Sequence, residues 1–296
     1  MLTGVLAGLL AGALWGLVFV APRMAPGYSP VDFAAGRFIA YGMTALAMTG
    51  LAARPRLPNG RQALAALGMS LLGFSGYYLL LVFAIRDAGT EVPSLVIGTI
   101  PLWVMLLGKP GHLRWRALVP GLVLTAAGLM LMLASSHAAG PAEGGAHFWR
   151  GVAFAVASLA SWTAFALLNS AWLKRHPEVN ATAWANWLGL ATGAAALVLW
   201  AVAGSPAQVL RAQSAAPLFA VLCLATGVGS AWFATILWNV ASRRLSASLC
   251  GQLIVSETLF ALAYSFAWDG RWPAPAEAAA VILFTLGILA SIKAHR

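Results

Sequence analysis

Residues 2–22 read LTGVLAGLLAGALWGLVFVAP, a stretch without a single charge. At 1.5 Å per residue a helix of this length is about 30 Å long, the thickness of a bilayer's hydrocarbon core. Gly4, Gly8, Gly12 and Gly16 recur every four residues, so they share one face, where a neighbouring helix can approach closely. The stretch lacks a positively charged leader and is longer than a signal-peptide core, so it is expected to be retained as a span.

Nine further stretches repeat the pattern: 31–51, 62–85, 90–108, 117–136, 151–173, 180–203, 216–241, 246–267 and 275–292. Composition agrees, with 61% hydrophobic and 9% charged residues, against roughly 25% charged in a soluble domain. So few charges cannot cover a water-exposed globule of 296 residues. Soluble enzyme, disordered chain, fibrous repeat and disulfide scaffold are excluded together. Nothing alternates with the period of a membrane barrel strand. The fold class is an all-α integral membrane protein of ten transmembrane helices, and its first partner is the lipid bilayer.

The net charge of +10 does not mark a nucleic-acid partner, because the 18 Lys and Arg are scattered between apolar runs and not grouped on one face. They fall instead as topology signals. With ten spans, one side collects Arg54, Arg56, Arg61, Lys109, Arg114, Arg116, Lys174, Arg175, Arg243, Arg244, Lys293 and Arg296. The other collects Arg23, Arg86, Arg150, Arg211 and Arg271, while Arg37 lies within a span. Both termini are therefore expected in the cytoplasm. Cys223 and Cys250, both within apolar runs, read as buried free thiols.

The chain also appears twice over. Trp15 opens WGLVF in the first span and Trp162 opens WTAFA in the sixth. Tyr78 precedes Ser94-Leu95 as Trp232 precedes Ser248-Leu249, and TAAGLMLM in the fifth span matches FTLGILAS in the tenth. Halves at 1–137 and 150–293, each of five spans, must lie in opposite orientations. Inverted repeats of that kind place a substrate site between them, near the midplane. The longest connection, at 137–150, separates them and leaves one membrane domain overall.

On these residues the chain resembles the drug/metabolite transporter superfamily in its ten-helix, EamA-type form: LWGLVF in the first span, AAGRFIAYG with Arg37 in the second, PSLVIGTIPLWVMLL in the fourth and LSASLCGQLIVSETLFALAYSF in the ninth. Trp162 and the Trp238-Asn239 pair resemble the YddG-type exporters of aromatic and other amino acids. Thr258 departs from the family, which commonly has proline there, and so leaves a kink in span nine without its usual residue. The resemblance implies a central cavity lined by both halves, with spans five and ten peripheral.

Ionisable groups inside hydrocarbon are costly, and two stand there: Glu257 midway along span nine and Arg37 in span two. Glu257 reads as a cavity carboxylate for a substrate ammonium or a proton, against the plainer reading of an acid bridging helices. Ser248, Gln252 and Ser256 share one face of span nine, with Glu257 at its edge. Polar faces on helices without aqueous surface point to a wet cavity or a partner helix. The expected substrate-binding set is Trp15, Tyr77, Tyr78, Trp103, Trp162, Asn186, Trp232, Trp238, Asn239, Gln252, Ser256 and Glu257. Pro93 and Pro101 are expected to bend span four, where transporters often gate.

The five His lie in loops or the tail without the spacing of helix-borne metal ligands, and neither GxxxxGK[ST] nor GxGxxG occurs. No cofactor, no metal and no catalytic residue is expected. The leading reading is a monomeric secondary transporter exporting small amphiphilic metabolites, amino acids including aromatic ones, from a bacterial inner membrane by alternating access. A multidrug or quaternary-amine exporter is the alternative within the fold. An intramembrane lipid-modifying enzyme is the alternative from another class.

Overall fold

The structure, a computed structural model, describes residues 1–52, 56–88, 91–136 and 147–295, with only the backbone of Glu91, Ser94, Leu95 and 133–136. Arg54, Arg296, the start of the fourth span at 90 and most of the 137–150 connection lie outside the described residues. Among the described residues every regular element is helical. In chain order they are α1 (Leu2–Met24), α2 (Pro30–Gly50), α3 (Gly60–Ala88), α4 (Glu91–Gly98 continued by Ile100–Leu107), α5 (Trp115–Ser136), α6 (Phe148–Arg175), α7 (Ala181–Ala203), α8 (Ala216–Arg244), α9 (Ala247–Asp269) and α10 (Pro275–Ala294). A short surface helix, Ala207–Ala212, precedes α8.

Eight of these are long and apolar enough to cross a membrane. The exceptions are α2, which is long enough but carries Asp32 and Arg37, and α4, which comes in two short pieces. Local chemistry sets the helix ends. Ser29 caps α2 in a reciprocal capping box with Asp32, and Pro30 sits at the first turn, where its missing N–H costs nothing. Asn59 with Gln62 does the same for α3. Asn180 and Ser246 cap α7 and α9, and Gly270, at φ 61°, closes α9 in the left-handed conformation that glycine tolerates best.

Direction follows from which residues meet. Gly4, Gly8 and Gly16 face Leu245, Leu253 and Ala261, so α1 and α9 run the same way. Gly4 also meets Arg244, and Ser230 donates to the Leu14 carbonyl at 2.5 Å, so α8 runs against α1. Asn169 pairs with Asn239 and Ser170 with the Ser242 carbonyl, so α6 runs with α8. Hence α6 is antiparallel to α1. The neighbour lists share this regularity. α1 packs on α8 and α9; α6 packs on α3 and α4. α2 lies along α7, α5 along α10 and α4 against α9. Moving every helix five places along the chain maps these pairs onto one another, whereas the α6–α8 and α7–α8 contacts have no equally close counterpart in α1–α3 and α2–α3.

Two irregularities also correspond. In α3 the Gly76 N–H bonds to the Leu71 carbonyl, five residues back. In α8 the Ala234 N–H bonds likewise to the Gly229 carbonyl. Such π-helical turns rotate the following residues about the axis and are common at functional sites. The fourth helix breaks at Thr99, two residues before Pro101. Pro93 lies in the Glu91–Gly98 piece of α4, and residues 89–90 before it are outside the described residues. The ninth helix runs unbroken past Thr258.

Candidate functional site

Burial divides the bundle along its axis. Every α9 residue from Ser248 to Ser256 is buried, and every one from Glu257 to Phe266 is at least partly exposed. In α3, Met69, Ser70 and Gly73 are buried, whereas no residue in 74–83 is. In α4, 96–99 are partly exposed, while Ile100, Pro101, Val104 and Met105 are buried. Through their middles all three helices pass from buried on the side of Met1 to partly exposed toward the face carrying Arg23 and Asp269, with Ala84, Ala88 and Pro93 buried again further on. Glu257 sits on the boundary.

On the closed side, loops are tied by cations bonding backbone carbonyls. Lys174 reaches Leu245 at 2.7 Å, Arg56 reaches Glu178 at 2.7 Å, and Arg243 reaches Pro177 at 2.7 Å and Val179 at 2.5 Å. The loose side is tied by side-chain ion pairs: Arg23 with Asp269, Arg150 and Arg86 with Asp87, and Arg271 with Glu277.

Three tryptophans from three helices converge at the boundary. Trp15 of α1 lies 5.3 Å from Trp238 of α8 and 6.4 Å from Trp162 of α6, ring centre to ring centre, and Trp162 lies 6.2 Å from Trp238. Tyr77, Ile97 and Leu259 pack, as Trp15 and Trp162 do, against the larger buried core that contains Trp238. The aromatic wall continues through Phe165, Phe74 and Phe38 to Tyr78. Phe38 and Phe74 were not singled out in the sequence. Their signal was adjacency, since Phe38 follows Arg37 and Phe74 lies one turn before Tyr77 and Tyr78.

Two ionisable groups, Arg37 and Glu257, lie within the bundle. The Arg37 guanidinium lies 4.6 Å over the Phe38 ring, and its Nε is buried without a partner. Glu257 makes neither a hydrogen bond nor an ion pair with any described residue. The two are not in contact, yet each lies within electrostatic reach of the other and of the Tyr77 hydroxyl.

The other expected residues divide. Trp232 donates through Nε1 to Asn186 Oδ1 at 2.7 Å, joining α8 to α7 beside the wall. Tyr78 donates to the Pro30 carbonyl, so its hydroxyl anchors the start of α2. Four expectations need correcting. Gln252 is fully buried and faces α5 and α10, bonded to Thr125 and Ser291. Asn239 is fully buried between Asn169 and the Ala181 carbonyl. The hydroxyl of Ser256 turns back to the Leu253 carbonyl at 2.7 Å, and its face abuts Gly12. Trp103 is 46% exposed, on the outer face of α4 that it shares with Leu107. For the first three, helix partners take the polar groups that a cavity would have used. For the fourth, an apolar outer stripe claims the indole.

An apolar cavity of about 390 Å³ lies further toward the loose face, between α1, α8 and α9, lined by Leu17, Met24, Leu222, Thr226, Tyr264 and Trp268 among others. None of the expected residues lines it. Among the described residues no group of His, Cys, Asp and Glu could hold a metal.

The chain is a bundle of membrane-length helices that holds a tryptophan cluster and two ionisable side chains, Arg37 and Glu257, without partners among the described residues. That arrangement defines a multi-span membrane transporter. The model of the EamA-like transporter family matches residues 2–134. The inner membrane protein YtfF of Escherichia coli K12 is 31% identical over 99% of this chain and 96% of its own length. The chain belongs to the EamA-like transporter family, within the drug/metabolite transporter superfamily. One crystal structure shares the fold, with a TM-score of 0.78 over 98% of each chain at 21% identity.

Proposed function

We propose that this chain is a secondary transporter exporting small amphiphilic metabolites, amino acids including aromatic ones, by alternating access. Its units are two inverted five-helix halves, 1–137 and 150–293. The antiparallel course of α1 and α6 and the helix pairs that map onto one another under a five-place shift support that division. The membrane is a bacterial inner membrane, as named for the E. coli relative. Both termini lie in the cytoplasm, on the side richer in Lys and Arg.

The carrying observation is Glu257, an acid without a partner among the described residues where α9 passes from buried to partly exposed, in a bundle that also holds the Trp15, Trp162 and Trp238 cluster. A charged group in such a place is costly and needs a reason. A substrate ammonium supplies one, and an indole floor accepts both the apolar body and the cation. Asn186, Trp232 and Tyr77 form the walls. Pro101, next to the break at Thr99, lets the two parts of α4 move separately.

Uptake of labelled phenylalanine into proteoliposomes tests the reading. Wild type accumulates label, and Glu257→Gln and Trp162→Ala each reduce it. Absence of any amino-acid flux with intact protein overturns the function. Undiminished flux in both variants overturns the site.

A further inference from the structure

Arg37 has no role in the reading above, yet its position is as unusual as that of Glu257. It stands in a span, its Nε is buried without a hydrogen bond, and no acid among the described residues lies within ion-pair distance. Stacking on Phe38 satisfies one face of the guanidinium and leaves its N–H donors without a partner among the described residues, the Nε donor buried. The backbone shows what lies opposite. The Arg37 carbonyl abuts Gly227 of α8, Ser230 one turn on bonds to Leu14 of α1, and the Glu257 carbonyl abuts Gly16 of α1. Arg37 and Glu257 thus stand at about the same depth, on helices flanking the α1–α8 pair. Tyr77 joins them from α3, and its hydroxyl makes no hydrogen bond with a described residue.

We infer that Arg37 and Glu257 are the two ends of a zwitterion site, holding the α-carboxylate and the α-ammonium of one amino acid between α2 and α9. The inference rests on the proposed amino-acid function and deepens it. Two opposite charges left apart in low dielectric attract strongly across a gap, and a ligand carrying the complementary charges in fixed proximity satisfies both. A guanidinium takes a carboxylate by two parallel N–H bonds, whereas a carboxylate takes an ammonium as a point charge. Tyr77 lies where its hydroxyl can bond the carboxylate end. The side chain of the bound amino acid then rests on the Trp15, Trp162 and Trp238 floor. A monovalent amine or a simple carboxylate answers one end and leaves the other charge unpaired, which a site of this kind penalises.

The test is ligand-induced thermal stabilisation of the purified full chain in detergent, using L-phenylalanine, phenethylamine and 3-phenylpropionate, beside labelled-phenylalanine uptake in proteoliposomes. In wild type, phenylalanine binds about tenfold or more tightly than either analogue. Arg37→Gln removes the advantage over phenethylamine and keeps that over phenylpropionate; Glu257→Gln does the reverse, and Arg37→Lys restores part of the first. Equal binding of all three ligands by a wild type that transports phenylalanine overturns the clamp and leaves the transporter reading standing. So does an Arg37→Gln variant weakened equally for all three. A wild type that neither binds nor moves phenylalanine overturns the amino-acid reading itself. The wild-type series decides the clamp even where a variant does not fold.

Discussion

Gln252 on α9 donates to Thr125 Oγ1 on α5 at 2.9 Å, and the Ser291 hydroxyl of α10 donates back to its carbonyl oxygen at 3.2 Å. One fully buried amide thereby ties three helices together, away from the aromatic floor. Gln252→Leu leaves two hydroxyls without this partner. Interhelical hydrogen bonds in membranes average near 0.6 kcal/mol, and stranded buried groups add to that, so a loss of about 1–2 kcal/mol is expected. Thermal unfolding in detergent shows the drop, while the relative affinities for phenylalanine and its analogues stay as in wild type.

The small-residue face of α1 makes a second, sharper expectation. A Cβ on Gly16 would come to 2.9 Å from the Ala261 backbone nitrogen and 3.2 Å from the Glu257 carbonyl oxygen, neither of which can move alone. Gly16→Leu forces α1 off α9, at a cost of about 1–3 kcal/mol or more. By contrast, nothing lies within 4 Å of a Cβ on Gly68 in α3. Gly68→Ala is neutral or stabilises by up to about 1 kcal/mol through helix propensity. Unfolding temperatures of the two variants move in opposite directions, or the second does not move.

Two buried tryptophans differ in their N–H. Trp184 donates to Asn169 Oδ1 at 2.7 Å and stacks on Trp172 with ring centres 3.7 Å apart. Trp238, equally enclosed, has an Nε1 without a partner. Trp184→Phe therefore strands an acceptor and costs about 1–3 kcal/mol beyond the lost volume. Trp238→Phe loses volume alone and is the milder change in stability. In transport the order reverses, since Trp238 belongs to the floor and Trp184 does not. Paired melting and uptake measurements on both variants check the crossing.

Span positions could be read from the sequence because a hydrocarbon slab accepts only long apolar helices, and the structure has a helix over each expected stretch, eight of them long and apolar enough to cross. The Gly4–Gly16 stripe could be read too, since four-residue spacing on a helix has one geometric meaning. The destination of the polar stripe on α9 could not. Ser248, Gln252 and Ser256 do share a face, but periodicity says which residues travel together and not which neighbour they meet. Here that face meets α1, α5 and α10. The π-helical turns in α3 and α8 were equally hidden, because a shifted hydrogen bond leaves no mark in residue type. Tyr77 follows the first of those turns and Trp232 lies within the second. Arg37 and Glu257 stood out from the sequence for a single reason, the cost of charge in lipid, and that reason survives in the structure.

Alternating access around Glu257 is the central claim, and cysteine accessibility along α9 tests it most directly. In a background with Cys223→Ser and Cys250→Ala, Leu262→Cys and Leu249→Cys are placed on the two sides of Glu257. Each is challenged with a membrane-impermeant maleimide from the outside and from the cytoplasm, with and without phenylalanine. Leu262→Cys reacts from outside in the resting protein, as the loose half of α9 requires, and phenylalanine shifts reactivity toward Leu249→Cys from the cytoplasmic side. Labelling of both positions from the same side, or of neither under any condition, contradicts the account.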